Sequence, residues 1–179
     1  ERRLPFEYSP GEGAFYGPKL EFHVKDAIKR SWQLGTIQVD YAMPDRFELD
    51  FTGADGLPHR PVMLHRAILG SLERFMGVYI EHVAGAFPVW LAPEQVRIIP
   101  INDSHNEYAG QVADQLQAIG ARAAADTESA RMNAKIRNAQ LLKVPYMAVV
   151  GEREMTEGTV PPRTRDGTQQ TGHPLAAAV

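Results

Sequence analysis

The chain has 179 residues, a net charge of −3 and no cysteine. Cysteine's absence excludes disulfides and thiolate chemistry, and a zinc site here can draw only on His, Asp or Glu. The weak negative charge gives no general attraction to nucleic acid, so any RNA binding must come from local patches. At 44% hydrophobic residues there is enough apolar material for packed cores, yet no apolar run approaches the roughly 18 residues of a membrane span.

In chain order, Glu21 to Val24 and Thr36 to Asp40 alternate like half-buried strands. Phe47 to Thr52 repeats the alternation, with Phe47, Leu49 and Phe51 on one face. Ala54-Asp55-Gly56 is a turn signal. Ser71 is placed to cap a helix striped by Leu72, Phe75, Met76, Tyr79, Ile80 and Val83, which Gly85 ends. The chain divides near Pro88 to Pro93, so the expected domains are residues 1–90 and 91–179.

The second part opens with a buried-type strand, Val96 to Ile101. Ser104 then starts a helix carrying Tyr108, Val112, Leu116 and Ile119, stopped by Gly120. A short strand near Arg122 to Ala125 and a helix from about Ser129 to Leu142 follow. Pro145 forces extended backbone at Val144 and introduces the strand Tyr146 to Val150. Pro161-Pro162 suits a sheet edge or an interruption. The tail from Gly167 to Val179 is polar, then Ala-rich, and is expected to be poorly ordered. The expected fold class is therefore an α+β domain built on an antiparallel sheet, followed by an α/β domain with a mostly parallel sheet.

The densest signal is Val62-Met63-Leu64-His65-Arg66-Ala67-Ile68-Leu69-Gly70-Ser71-Leu72-Glu73-Arg74-Phe75. It sets a histidine on a strand, a Gly-Ser turn, and an arginine one turn into a helix. Upstream lie Gly13-Ala14-Phe15-Tyr16-Gly17-Pro18-Lys19 and Trp32-Gln33-Leu34-Gly35-Thr36-Ile37-Gln38-Val39-Asp40. In order and spacing, these three stretches closely resemble the third signature motif and flanking strands of class II aminoacyl-tRNA synthetases, in the threonyl-tRNA synthetase form. The resemblance runs on to about Arg165.

It implies an enzyme that joins threonine to ATP, with Mg2+, and passes the threonyl group from the adenylate to its tRNA. It also implies that the chain is the C-terminal part of a longer, cytoplasmic, homodimeric protein with no membrane association. The two earlier signature motifs, one of which supplies an arginine for the α-phosphate, are not in this sequence, so the segment alone is expected to be inactive. The resemblance assigns Arg74 to ATP and Ser71 and Gln33 to the same ligand site. Tyr16, Lys19 and Gln38 join Arg74 as catalytic-site residues. His65 is implied to be a Zn2+ ligand beside a Cys and a His outside this sequence. Zinc with an open position can bind the threonine hydroxyl, which valine lacks. Glu154 and Arg163 are implied to read the anticodon.

Each residue also has a blander reading. Arg74 alone suggests a surface arginine paired with Glu73 or a neighbouring Asp, His65 a core histidine bonded to backbone, and Tyr16, Lys19, Gln33 and Gln38 exposed hairpin residues. Glu154 and Arg163 alone suggest solvated charges. The sequence departs from the family pattern at Leu34, where Cys is common, at Asp126-Thr127-Glu128-Ser129, which lacks an Asn, and at Pro161-Pro162. A non-catalytic tRNA-binding or regulatory remnant is the alternative function, and a synthetase for another amino acid such as proline is a third.

Overall fold

The computed structural model describes residues 5–174. They form two compact units, one extending to His82 and one starting at Val83.

In the first unit, β1 (Lys19–Lys25), β2 (Ser31–Asp40) and β5 (Met63–Ala67) make an antiparallel sheet in the order β1-β2-β5. Asp26 ties the β1–β2 turn. Its Oδ1 accepts from the backbone N–H of Ile28 and of Arg30, at 3.1 and 2.8 Å, and its Oδ2 accepts from the Trp32 indole at 2.9 Å and from Arg30 Nε. The register aligns Lys19 with Gln38 and Gln38 with His65, then Glu21 with Thr36 and Thr36 with Ala67. Directly opposed residues point to the same face, so two rows of side chains cross the sheet.

A short helix α1 (Ala42–Arg46) follows β2, and a small hairpin pairs β3 (Phe51–Thr52) with β4 (Pro58–His59). The strand expected over Phe47 to Thr52 is thus reduced to its last two residues. Asp40 Oδ1 accepts from the Ala42 and Met43 N–H groups at 2.9 Å each and starts a helix there instead. Glu48 then takes a φ of 52°, which breaks the strand alternation. Phe47 and Leu49 stay exposed, so no buried face rewards an extended path.

Helix α2 (Leu72–His82) starts where Ser71 predicted, but Ala84 turns left-handed one residue before Gly85. None of its residues is buried.

The second unit is layered. A four-stranded sheet has the order β10-β8-β6-β7, from β10 (Pro162–Thr164), β8 (Tyr146–Val150), β6 (Val96–Pro100) and β7 (Ala123–Ala125). β6 is parallel to β7 and β8, whereas β10 runs antiparallel at the edge, so the sheet is mixed. The Pro161-Pro162 pair leads into that edge strand, where a missing N–H is tolerated. Ile98, Ala148 and Val150 pack with Tyr108, Ala109, Val112 and Leu116 of α3 (Asn106–Ala118). Ile99 and Met147 pack with Ala139 of α4 (Met132–Leu141) and with Val144. Adjacent residues of β6 and β8 therefore serve opposite layers, which explains why both strands are mainly apolar; the exception is Arg97 of β6, which pairs with Glu94.

The helix expected from Ser104 begins differently. Asn102 accepts from the Ser104 N–H at 3.1 Å and caps a 3-10 turn, Asp103–His105, that leads into α3. Helix α4 begins three residues later than expected, after Arg131. After α5 (Glu152–Glu157), β9 (Thr159–Val160) pairs with β11 (His173–Pro174). Between β10 and β11 the tail is mostly turn and irregular backbone, tied by the Thr168 carbonyl accepting from the Thr164 N–H and by the Gln170 N–H donating to the Pro162 carbonyl. The Ala-rich end lies outside the described residues. No described helix is long and apolar enough to cross a membrane.

Candidate active site

The first unit's sheet carries one polar face. Lys19, Gln38 and His65 form a row across its three strands. Lys19 Nζ is 2.6 Å from Glu21 Oε1. That hydrogen bond raises the ammonium pKa and lowers that of the Glu21 carboxyl, so Lys19 is permanently charged but partly neutralised. Tyr16 extends the ladder beyond β1, its carbonyl accepting from the Tyr41 N–H at 3.0 Å. Its ring lies edge-on to His65, with centroids 6.3 Å apart.

His65 does not bond to backbone through Nε2. That nitrogen meets Asp40 Oδ2 at 2.8 Å. Burial opposes ionisation of Asp40, but the Met43 N–H, the His65 ring and the Ala42 N–H together hold its carboxyl below the usual range. Asp40 was missed in the sequence, although it lies two positions beyond Gln38 and so on the same face of β2. Among the described residues no three His, Asp or Glu side chains gather as a metal site. His65 fits as one donor of a set, with one ring nitrogen tied to a carboxylate and the other unassigned.

Gln33 Nε2 donates to Thr36 Oγ1 at 3.1 Å, and its backbone carbonyl accepts from Arg74 Nη1 at 2.9 Å. The Arg74 guanidinium is therefore anchored on β2, while Glu73 takes the Ser71 hydroxyl at 2.7 Å. Ser71 also accepts the Arg74 N–H at 3.2 Å and so caps α2, which leaves its hydroxyl engaged. Gly70 has a φ of 69°, and a Cβ there would collide with the Leu34 carbonyl. The strand–turn–helix corner is held against β2 by that close approach.

In the second unit, Glu154 Oε2 accepts from the Gly151 N–H at 3.0 Å, capping α5. Arg163 lies on the edge strand β10, with a buried Nε that lacks a hydrogen-bond partner. Its guanidinium passes beneath the Gly167 turn.

Residues 6–83 match the model of the tRNA synthetase class II core domain (G, H, P, S and T), and residues 95–179 match the anticodon binding domain. A threonine–tRNA ligase of Caldanaerobacter subterraneus is 56% identical over 162 residues, covering 90% of this chain and 25% of the relative. The chain belongs to the threonyl-tRNA synthetase family. A family member from Thermus thermophilus is 55% identical over 177 residues, covering 99% of this chain and 27% of its own length. The solved RNA binding domain of threonyl-tRNA synthetase from Cryptosporidium parvum superposes with a TM-score of 0.87 at 42% identity, covering 94% of this chain and 43% of that one. A Giardia lamblia prolyl-tRNA synthetase shares the fold, with a TM-score of 0.63 at 21% identity, covering 90% of this chain and 39% of that one. The chain spans about a quarter of the length of the curated threonyl-tRNA synthetases it matches.

Proposed function

We propose that this chain supplies part of the aminoacylation site and the anticodon-binding module of a threonine–tRNA ligase. The observation that carries the reading is the row Lys19–Gln38–His65 on one sheet face, with Tyr16 beside His65 and Arg74 fixed to the same strand as Gln38. Residues 1–90 and 91–179 take these two roles.

Arg74 supplies permanent, planar positive charge suited to ATP and to stabilising charge that develops on its phosphates. Gln38, Gln33 and Tyr16 orient a small polar substrate without adding a charge that needs neutralising. Ser71 serves the site indirectly, by starting the helix that carries Arg74. His65 holds one position of a zinc ion whose other ligands come from outside this segment. When bound, Zn2+ offers an open coordination position to the threonine amino and hydroxyl groups, so valine leaves a costly unmatched partner. Mg2+ accompanies ATP and is assigned no ligand here. Glu154 and Arg163 contact the anticodon of threonine tRNA, and the enzyme works as a homodimer in the cytoplasm.

The test uses the full-length enzyme that contains this segment. Threonine-dependent ATP–pyrophosphate exchange is expected, together with zinc that His65→Ala removes. Exchange driven by proline in place of threonine, or full zinc occupancy in His65→Ala, overturns the reading. A non-catalytic remnant would support no exchange with any amino acid.

A further inference from the structure

Asp40 is 2% exposed at the end of β2, and its two oxygens are divided between tasks. Oδ1 accepts the Ala42 and Met43 N–H groups at 2.9 Å each, which locks the carboxylate plane. Oδ2 is left facing His65 Nε2 at 2.8 Å. The two residues sit on neighbouring strands, with Asp40 opposite Met63 and Gln38 opposite His65, so their side chains share a face one diagonal step apart.

A carboxylate that accepts two backbone N–H groups has only acceptor capacity to offer the imidazole. Nε2 must then carry the hydrogen, and in the neutral ring the lone pair resides on Nδ1. The His65 side chain is 42% exposed, so the ring is open on a side away from this buried carboxylate. We propose that Asp40 is a positioning residue that fixes His65 in the Nε2–H tautomer and presents Nδ1 as the metal donor. This rests on the reading of His65 as a zinc ligand. It adds which nitrogen binds and what holds it. A carboxylate in this position also raises the basicity of the donor nitrogen, and its loss costs metal affinity even though it never touches the metal.

Two measurements test the pair separately. The first uses the metal-free 179-residue chain with 15N-labelled histidine, read by long-range proton–nitrogen correlation at a pH where His65 is neutral. A single Nε2–H tautomer is expected, with its ring proton slowed in exchange with water. In Asp40→Asn the amide oxygen can keep the two backbone N–H groups of α1. The amide nitrogen then faces His65 and donates to Nε2. The tautomer should switch to Nδ1–H while the thermal midpoint stays close to that of the parent. In Asp40→Ala the ring should sample both tautomers. An Nδ1–H tautomer in the parent, or an unchanged tautomer in Asp40→Asn, overturns the inference whatever the metal does.

The second measurement is zinc affinity by competition with a chromophoric chelator in the full-length enzyme. Asp40→Asn should weaken it by about 10- to 100-fold. Unaltered affinity refutes the positioning role while leaving His65 a ligand. Zinc retained in His65→Ala refutes the donor assignment while leaving the tautomer result in place.

Discussion

Gln33 and Gln38 stand five positions apart on β2, yet both belong to the polar face of the sheet. Gln38 opposes Lys19, whereas Gln33 opposes His23, and the register shifts between Phe22 and His23. Phe22 opposes Gly35, so Leu34 is the extra residue that β1 does not match. A regular strand would put residues five apart on opposite faces. The bulge at Leu34 restores Gln33 to the side of Thr36, to which it hydrogen-bonds. The requirement at position 34 is therefore one of count more than of chemistry. In the full-length enzyme, Leu34→Ala should keep threonine-dependent exchange within about a factor of three, a cost of under roughly 1 kcal/mol at RT ≈ 0.59. Deleting Leu34 closes the bulge with Gln33 still opposite His23, but it removes the carbonyl against which Gly70 packs and shifts the Gln33 carbonyl that holds Arg74, so exchange should fall far below that of Leu34→Ala. Comparable activity in the two variants would show that the bulge carries no functional weight.

Arg74 is exposed, and its guanidinium has one hydrogen bond, to the Gln33 carbonyl. An exposed bond of this kind is worth about 1 kcal/mol at most, since water replaces the carbonyl's partner. Arg74→Ala should leave the thermal midpoint within a few degrees of the parent and lower adenylate formation by on the order of 10²–10³-fold. A large loss of stability with unchanged exchange kinetics would assign Arg74 to the fold alone.

Asp26 gives the first unit an acid-sensitive tie. Burial opposes its ionisation, but the Trp32 indole and the side chain and N–H of Arg30 together bring its pKa down from the ordinary 3.8 to about 2. A folded pKa below the unfolded one means that Asp26 stabilises above pH of about 4, and that the contribution fades as pH falls toward about 2. Asp26→Asn should therefore melt below the parent at pH 6, with the gap closing between pH of about 4 and 2. A gap that stays constant with pH would trace the effect to packing and not to charge.

The legible parts of this fold are those where local chemistry and burial agree. Tyr146 to Val150 was readable because Pro145 fixes the entry and both sheet faces are buried, so every residue is apolar. The His65–Gly70–Arg74 corner was readable because its residues lie within one short stretch. Phe47 to Thr52 misled because its alternation is genuine in sequence but meets no core. The Asp40 carboxylate also starts a helix five residues earlier. The bulge at Leu34 depends on how β1 pairs, and the Asp40–His65 contact joins residues 25 apart. Neither register is encoded in either strand alone.

The second unit should fold by itself, since its two apolar layers are complete on either side of one sheet. Where it is cut matters. Arg122 donates to the carbonyls of Ala92 at 2.9 Å and Trp90 at 2.8 Å, Gln95 Nε2 to that of Val89 at 2.9 Å, and Arg165 Nη2 to that of Phe87 at 2.9 Å. A fragment starting at Val83 keeps these acceptors, and one starting at Pro93 loses all four. The shorter fragment should be less stable by about 1–3 kcal/mol in urea titrations, because partly buried guanidinium donors must then turn to water. Equal midpoints would mean that residues 83–92 contribute nothing to this unit.

Glu154 and Arg163 are predicted to separate into a dual-purpose residue and a dedicated one. Glu154 already accepts the Gly151 N–H that starts α5. Glu154→Ala should lower stability by about 1 kcal/mol through the lost cap. Glu154→Gln keeps an acceptor and should fold like the parent, so any loss of RNA binding in that variant reports on recognition. Arg163 has its Nε buried without a partner on an edge strand, so removing it breaks no hydrogen bond to that nitrogen. The module from Val83 should bind a threonine anticodon stem-loop more tightly than one with the central anticodon bases exchanged. The preference should be modest, because the chain's overall charge supplies no attraction and Ser129 and Pro161-Pro162 depart from the family pattern. If Arg163 contacts a base, Arg163→Ala should weaken binding to the threonine stem-loop by about 1–3 kcal/mol and shrink the preference. If it contacts only phosphate, both stem-loops should weaken alike, and the dependence of log affinity on log salt should flatten by about one unit. Fluorescence anisotropy at several fixed salt concentrations distinguishes these outcomes. Equal affinity of the parent module for the two stem-loops would remove Glu154 and Arg163 from anticodon reading altogether.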